Sequence, residues 1–560
     1  MPPDAGADER LARASGAVGA AILLSRLAGL LREKLLAFHL GTGLAAEAFR
    51  AALRIPNLLQ NLLGDGVLSG AFVPTYARMV DEGRTEEAGR LAGAVAALLV
   101  LVTGVLVTVG VLLADPLTRL LTPGFPAGSD KAALTATLVR VLTPSLGFLV
   151  LAAWSLGVLN AHRRFFRAYV APVLWNASII VALTVGAAVG RGGDDLALTV
   201  AGGALAGAVL QLASQLPAVR RLTRLAWPRL RSTVPGLRQV LRASVGVIAG
   251  RGVVQLSAYL DLAIASLLAA GAVAALGYAQ VLYLLPVSLF GMSVAAAALP
   301  DLAARRPDHD PRHLAGVDRG LARIAAFVVP TVAAYLFLAR ELVTVLYGGG
   351  AFGAPAVRQV AAVLMAYAVG LLATTQSRLL QSTLHAMDDT RTPALVAAVR
   401  VGVATVVGVL LMLWLDAFRW DADGLVRVAE PGTLDRTARA AAASLHRLGA
   451  VGLALGASVG AWTEWWLLRR ALARRTGAPP RPLGAARPLL AALGVPLGVP
   501  LGVRLAEPLA AAPLPSALGA AVATVPSLVL VALAALLLGL DDLPGVGAVR
   551  RRFGGLIRGR

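Results

Sequence analysis

The sequence predicts an all-α integral membrane protein of about fourteen transmembrane helices, built as two pseudo-symmetric six-helix lobes followed by two further helices. Three observations carry that expectation. Intensely apolar stretches long enough to span a bilayer recur along the chain. Arginines collect in alternate loops between them, and a glycine–proline pattern of the first half returns in the second.

A span needs about 20 apolar residues, rising 1.5 Å each, to cross a hydrocarbon core of about 30 Å. The run AGAVAALLVLVTGVLVTVGVLLA from Ala92 meets that length without a charge. Hydrophobic residues make up 57% of the 560 residues and mean hydropathy is +0.74, more apolar surface than a water-soluble fold can hide. Spans are expected near 14–38, 44–76, 90–115, 132–158, 168–190, 195–219, 240–268, 272–300, 320–346, 357–386, 393–415, 447–468, 488–505 and 514–540. The second is the weakest by hydropathy alone. The opening MPPDAGADERLARAS lacks the features of a cleaved secretory signal, so the first span is expected to act as the uncleaved targeting signal.

Charge orders these spans in the membrane. The net charge of +21 sits in short loops, where anionic lipid and the positive-inside rule put basic residues. Arginine-rich loops follow even-numbered spans: Arg163, Arg164 and Arg167; Arg220, Arg221, Arg224, Arg229 and Arg231; Arg305, Arg306 and Arg312; Arg469, Arg470, Arg474 and Arg475. Loops after odd-numbered spans are short or mixed, and the exception is 418–447, where arginines alternate with Asp421, Asp423, Glu430 and Asp435. Both termini are therefore expected in the cytoplasm. No aromatic and basic domain stands outside the spans, so nucleic acid is not an expected partner.

Gly41 precedes Pro56 by 15 residues, and Gly271 precedes Pro286 by 15. Leu159-Asn160-Ala161 has a counterpart in Leu384-His385-Ala386, each at the inner end of the fourth span of its half. A repeat of about 230 residues in the same orientation points to two lobes, as in transporters that rock about a midplane site. The expected divisions are 1–225, 226–475, and 476–560 for the last two helices with a basic tail.

Function is sought in polar residues inside spans, because burying them in lipid is costly. The second span carries Glu47, Arg50, Arg54, Asn57, Asn61 and Asp65 at spacings of 3 and 4, one face of an α-helix. Pro56 should kink it. The first span adds Arg26, Arg32, Glu33 and Lys34. Mixed charge over about five turns is what a water-filled cavity wall requires, and the competing reading is an amphipathic surface helix. Arginine suits phosphate through its planar, bidentate fork. The seventh span carries Arg251, Gln255, Ser257 and Asp261, and the tenth Thr374, Arg378, Gln381 and His385. Asp261, a lone acid in an apolar stretch, has two readings: a structural partner of Arg251, or a ligand for a coupling proton or cation.

Enzymatic chemistry finds little support. The chain has no cysteine, His309 and His313 share a loop with cation-repelling arginines, and Asp388-Asp389 has no second acidic cluster. No phosphate-binding glycine loop or long extramembrane domain appears, so neither catalysis nor a cofactor is expected.

The run from Ser25, SRLAGLLREKLLAFHLGTGLAAEAFRAALRIPNLLQNLLGDGVLSGAFVPTYA, resembles the start of the MurJ (MviN) family of lipid II flippases in the MOP exporter superfamily. Ala171-Pro172-Val173-Leu174-Trp175-Asn176, Tyr278-Ala279 and Asp389-Thr390-Arg391-Thr392-Pro393 extend the resemblance. It implies a cavity lined by spans 1, 2, 7 and 8, with Arg26 and Arg32 as matched cavity arginines, and a lipid-tail groove on the last two helices. The implied partners are lipid II or a similar polyprenyl-pyrophosphate lipid, membrane lipids and cell-wall synthesis proteins. The chain departs from the family pattern at Gln60, where arginine is usual, and at Gln280-Val281, where Asp-Arg is usual. Exporters of another polyprenyl-linked glycan or of a small amphiphilic cation remain as alternatives.

Overall fold

The computed structural model describes residues 5–223, 234–292, 294, 311–387, 389–421, 423–431, 446–481, 492, 495–502 and 516–537. The chain divides into two compact units, Met1–Leu267 and Leu268–Arg560.

The first unit comprises α1 (Ala5–Leu40), α2 (Leu44–Leu59), a π-helix (Gln60–Phe72), α3 (Val73–Asp81), α4 (Thr85–Leu112), α5 (Ala114–Leu121), α6 (Asp130–Leu142), α7 (Ser145–Ala161), α8 (Phe165–Ala188), α9 (Gly193–Leu222) and α10 (Leu237–Ser266). The second holds α11 (Ala272–Pro286), a π-helix (Val287–Met292), α12 (Pro311–Phe337), α13 (Ala339–Tyr347), α14 (Ala354–Ala386) and α15 (Arg391–Leu415). A hairpin of β1 (Phe418–Asp421) and β2 (Gly424–Arg427) follows, then α16 (Gly449–Thr476) and α17 (Ser516–Leu537). A helical stretch also occupies 495–502. Where the expected spans fall on described residues they are largely helical, whereas 295–300 and parts of 488–505 lie outside the described residues. By length and composition, 8 helices among the described residues are apolar enough to cross a membrane, and α2, with its charged face, is not one of them.

The duplication is visible in backbone as well as sequence. Gly41 and Gly271 both take positive φ (59° and 95°), the region where a Cβ is disfavoured; Gly41 directly follows the end of α1 and Gly271 is the N-cap of α11. Pro56 and Pro286 both stand at or near the end of that helix, and both are followed by a π-helix. Proline withholds an N–H and crowds the preceding turn, so the chain widens there instead of breaking. The expected kink at Pro56 is thus resolved as a change of helical pitch. That corrects the reading of the polar stripe: Glu47 to Asn57 share an α-helical face, but Asn61 and Asp65 lie in the π-helix, where 3,4 spacing no longer defines one face. α7 and α14, the fourth spans of the two halves, end at Ala161 and Ala386.

Helix pairing in the second unit relies on small residues, which let backbones approach where no aqueous hydrophobic drive exists between spans. Gly452, Gly456 and Gly460 run down one face of α16, and a Cβ at Gly456 would collide with the backbone of Gly408 on α15. Ser458 Oγ donates to the Ala366 carbonyl of α14 at 2.7 Å. Gly456→Leu is expected to lower stability by about 1–3 kcal/mol through overpacking, read as a fall in the detergent-solubilised unfolding temperature. Gly402→Leu, where a Cβ meets nothing, should leave it unchanged.

Two loops acquire a physical account. Asp389, in the Asp-Thr-Arg-Thr-Pro motif, accepts the Thr392 backbone N–H at 2.9 Å at the start of α15 and pairs with Arg475 of α16 at 2.6 Å. Hydrogen bonds from Thr392, ahead of the nearby Arg475 charge, hold its carboxyl below the usual range. The motif is a helix cap and an inter-helix clamp. In the mixed loop after α15, Arg419 pairs with Asp421 at 2.6 Å and Arg447 with Asp416 at 3.6 Å. Its arginines are partly neutralised within the loop, which weakens them as topology signals.

Candidate functional site

The charged cluster of the first unit assembles from α1, α2 and α8. Glu33 on α1 is buried and bridges two arginines: Oε1 accepts from Arg32 Nη2 at 2.7 Å, and Oε2 from Arg50 Nη2 at 2.6 Å. Arg32 Nη1 also donates to Asn176 Oδ1 of α8 at 3.0 Å, and its guanidinium lies 4.9 Å from the centre of the Trp175 ring. Both arginine side chains remain 16% exposed. Two guanidinium groups thus converge on one carboxylate. The carboxylate orients the forks and the aromatic plane backs one of them.

Exposure along the polar face of α2 is graded. Glu47, near its start, is 1% exposed and ion-paired with Lys131 of α6, whose ammonium also sits 3.9 Å from the Phe125 ring centre. Arg50 is partly buried, Arg54 and Asn57 are half-buried, and Asn61 is exposed. The polar face is therefore sealed at its Gly41 end and opens toward Asn61. Arg54 lies within electrostatic range of Tyr259 on α10, a helix that packs along the π-helix Gln60–Phe72.

The remaining sequence candidates distribute as follows. Arg26 is exposed on α1 and Asp261 is exposed on α10. The Arg251 side chain lies outside the described residues, so its pairing with Asp261 does too. Arg378 stands on α14 in the second unit, exposed while its neighbours Ser377 and Leu379 are buried. Arg32 and Arg50 are thus brought together, whereas Glu47 turns away into an ion pair of its own.

Sequence reasoning passed over several partners. Asn176 and Trp175 were seen only as motif residues, and Lys131 not at all, because their roles depend on contacts between distant helices. In the second unit it missed Glu464 of α16, a buried acid inside the run WTEWW. Glu464 pairs with Arg400 of α15 at 2.6 Å and accepts from Gln381 of α14 at 2.7 Å. A lone acid amid apolar residues was the available signal.

With this geometry in view, comparison with known proteins is informative. A family profile described as "Lipid II flippase MurJ" matches residues 36–419, so Arg50, Arg54 and Arg378 fall inside the match while Arg26 and Arg32 precede it. A probable lipid II flippase MurJ of Rhizobium tropici is 33% identical over 399 residues, covering 70% of this chain and 74% of the relative. The lipid II flippase MurJ of Burkholderia cenocepacia is 30% identical over 416 residues, covering 73% and 78%. In fold, the chain is similar to a lipid II flippase MurJ solved in an inward closed conformation, with TM-score 0.69 at 20% identity over 92% of this chain and 98% of that one. It is also similar to an inward-facing multidrug resistance MATE family transporter of the MOP superfamily, with TM-score 0.64 at 16% identity over 81% and 94%. Helical membrane architecture, profile and relatives agree: this chain belongs to the MurJ family of lipid II flippases, multi-pass transporters of the bacterial inner membrane.

Proposed function

We propose that this protein moves lipid II, the undecaprenyl-pyrophosphate-linked peptidoglycan precursor, from the inner to the outer leaflet by alternating access of two lobes. The observation that carries the reading is the pair of guanidinium groups, Arg32 and Arg50, that α1 and α2 bring together on the buried Glu33 in a chain of this family. Paired arginine forks in a membrane transporter suit an anionic substrate, and pyrophosphate is the dianionic group that such forks fit.

Arg26, Arg32, Arg50, Arg54, Asn57 and Arg251 form the proposed binding set in the first unit, and Arg378 is a proposed phosphate-binding residue of the second unit by itself. Glu47 serves that set as a positioning residue, holding α2 against α6 through Lys131. Asp261 is the proposed coupling residue. The proposed lobes are 1–225 and 226–475, with the helices of 476–560 giving the polyprenyl tail an apolar path. Association with cell-wall synthesis proteins would place the flipped precursor where it is polymerised. Gln60 and Gln280-Val281 favour one second reading, transport of another polyprenyl-pyrophosphate-linked glycan.

The test is rescue of cells depleted of their own lipid II flippase, with headgroup exposure on the outer leaflet as readout. Growth and exposure restored to wild-type levels are expected; expression at normal abundance without either would overturn the lipid II assignment. Orientation is tested separately, since the chain has no native cysteine. Val428→Cys is expected to react with an impermeant thiol reagent from outside and Ala478→Cys only after permeabilisation. The exchanged pattern, Ala478→Cys from outside and Val428→Cys only after permeabilisation, would reverse the proposed cytoplasmic termini, and labelling of both from one side would show that α16 does not cross.

A further inference from the structure

The second unit contains a charged cluster built on the same plan as that of the first. Glu464 on α16 is 2% exposed at its side chain and is held from two sides, by Arg400 Nη1 of α15 at 2.6 Å and by Gln381 Nε2 of α14 at 2.7 Å. One turn before Gln381 on α14 stands Arg378, within electrostatic range of Arg400, Glu464 and Tyr283. A further turn back, Thr374 accepts a hydrogen bond from Tyr283 of α11 at 2.6 Å, and Tyr283 stacks on Tyr367 with ring centres 5.0 Å apart. Thr374, Arg378 and Gln381 therefore share one face of α14, with the arginine between a tyrosine and a carboxylate.

A purely structural ion pair would be neutral. Here Arg400 and Glu464 cancel, and Arg378 adds a second guanidinium that repels the first. Buried residues flank Arg378 on both sides, from Ala373 to Ser377 and at Leu379 and Leu380, yet its own side chain is exposed. An arginine at that depth facing hydrocarbon is disfavoured, so its exposure is to water or to an anion. The first unit has the same ingredients: two arginines about one buried carboxylate, a side-chain amide, and an aromatic ring.

We propose that Arg378 and Arg400 form a second phosphate-binding site, contained within the second unit, that takes a diphosphate anion. Glu464 and Gln381 orient Arg400, and Arg378 supplies the unneutralised fork. Naming a lipid-linked diphosphate as the ligand rests on the function proposed above; the site itself rests on the cluster. Two sources share this chemistry, the headgroup of a polyprenyl diphosphate and free pyrophosphate.

The experiment measures equilibrium binding of farnesyl diphosphate and of inorganic pyrophosphate to the full chain in nanodiscs. It compares wild type, a first-unit variant that removes the Arg32–Glu33–Arg50 cluster together with its buried charge (Arg32→Gln/Glu33→Gln/Arg50→Gln), and that variant with Arg378→Gln added. The first-unit variant is expected to retain binding of both probes, and Arg378→Gln to weaken it by about 10- to 100-fold, the loss of a charge-assisted bidentate contact. Arg378→Lys should recover only part. Should Arg378→Gln fold poorly, the charge-conserving pair Arg400→Gln/Glu464→Gln provides the second variant; it keeps the net charge, and weakened binding then shows that placed forks, not charge alone, hold the anion. Retention of pyrophosphate alone would keep the site and remove the lipid as its source. If the first-unit variant binds neither probe while wild type binds both, or if Arg378→Gln changes nothing, the second site is overturned and the first-unit reading stands. If wild type binds neither probe, this site is overturned, while the proposed function is decided separately by rescue of depleted cells.

Discussion

Arg32→Ala abolishes rescue of flippase-depleted cells while leaving the protein's abundance in the membrane intact: this is the largest functional effect expected of any single substitution here. Arg32 joins three groups, Glu33, Asn176 and Trp175, and keeps 16% of its side chain exposed. It is both a strut and a donor. Removing it leaves Glu33 paired with Arg50, so the buried carboxylate keeps one counter-charge and the fold survives. What is lost is a charge-assisted contact to the substrate, about 1.5–3 kcal/mol, or about tenfold to a hundredfold in binding. Arg32→Lys preserves the charge but not the fork and should rescue partly. Full activity of Arg26→Ala/Arg32→Ala would remove these arginines from the pyrophosphate site.

The largest stability effect is expected at Lys131→Met. Glu47 is 1% exposed, and its carboxylate is held by the Lys131 ammonium across the α2–α6 contact. Withdrawing one partner of a buried pair typically costs about 3–5 kcal/mol, because the other charge stays desolvated. The double variant Glu47→Leu/Lys131→Met removes both charges and should recover most of the loss. Thermal unfolding in detergent, with rescue measured in parallel, separates two roles for Glu47. Recovery of both stability and transport makes it a positioning residue; recovery of stability alone returns it to the binding set.

Architecture was legible because a bilayer imposes it on composition. Length and apolarity located the spans that qualify among the described residues, and α2, not apolar enough to count as one, was found as a helix through its 3,4 polar spacing. The Gly41–Pro56 and Gly271–Pro286 recurrence marked the duplication, since positive φ and a missing N–H are properties of those residue types. The cluster was only half legible. Arg32 and Arg50 could be named, but Glu33 as the bridge between them is a matter of where α1 meets α2.

By itself, the sequence determined that this is a helical membrane protein, that it is duplicated, and which residues carry charge into its spans. Those depend on residue type and local periodicity. Only the tertiary structure decided that Pro56 widens the helix into a π-turn and that Glu47 is closed off by Lys131. It also decided that Arg400, Gln381 and Glu464 meet across three helices. Each depends on how helices far apart in sequence pack, and a charge inside a membrane protein is defined by the partner packing gives it.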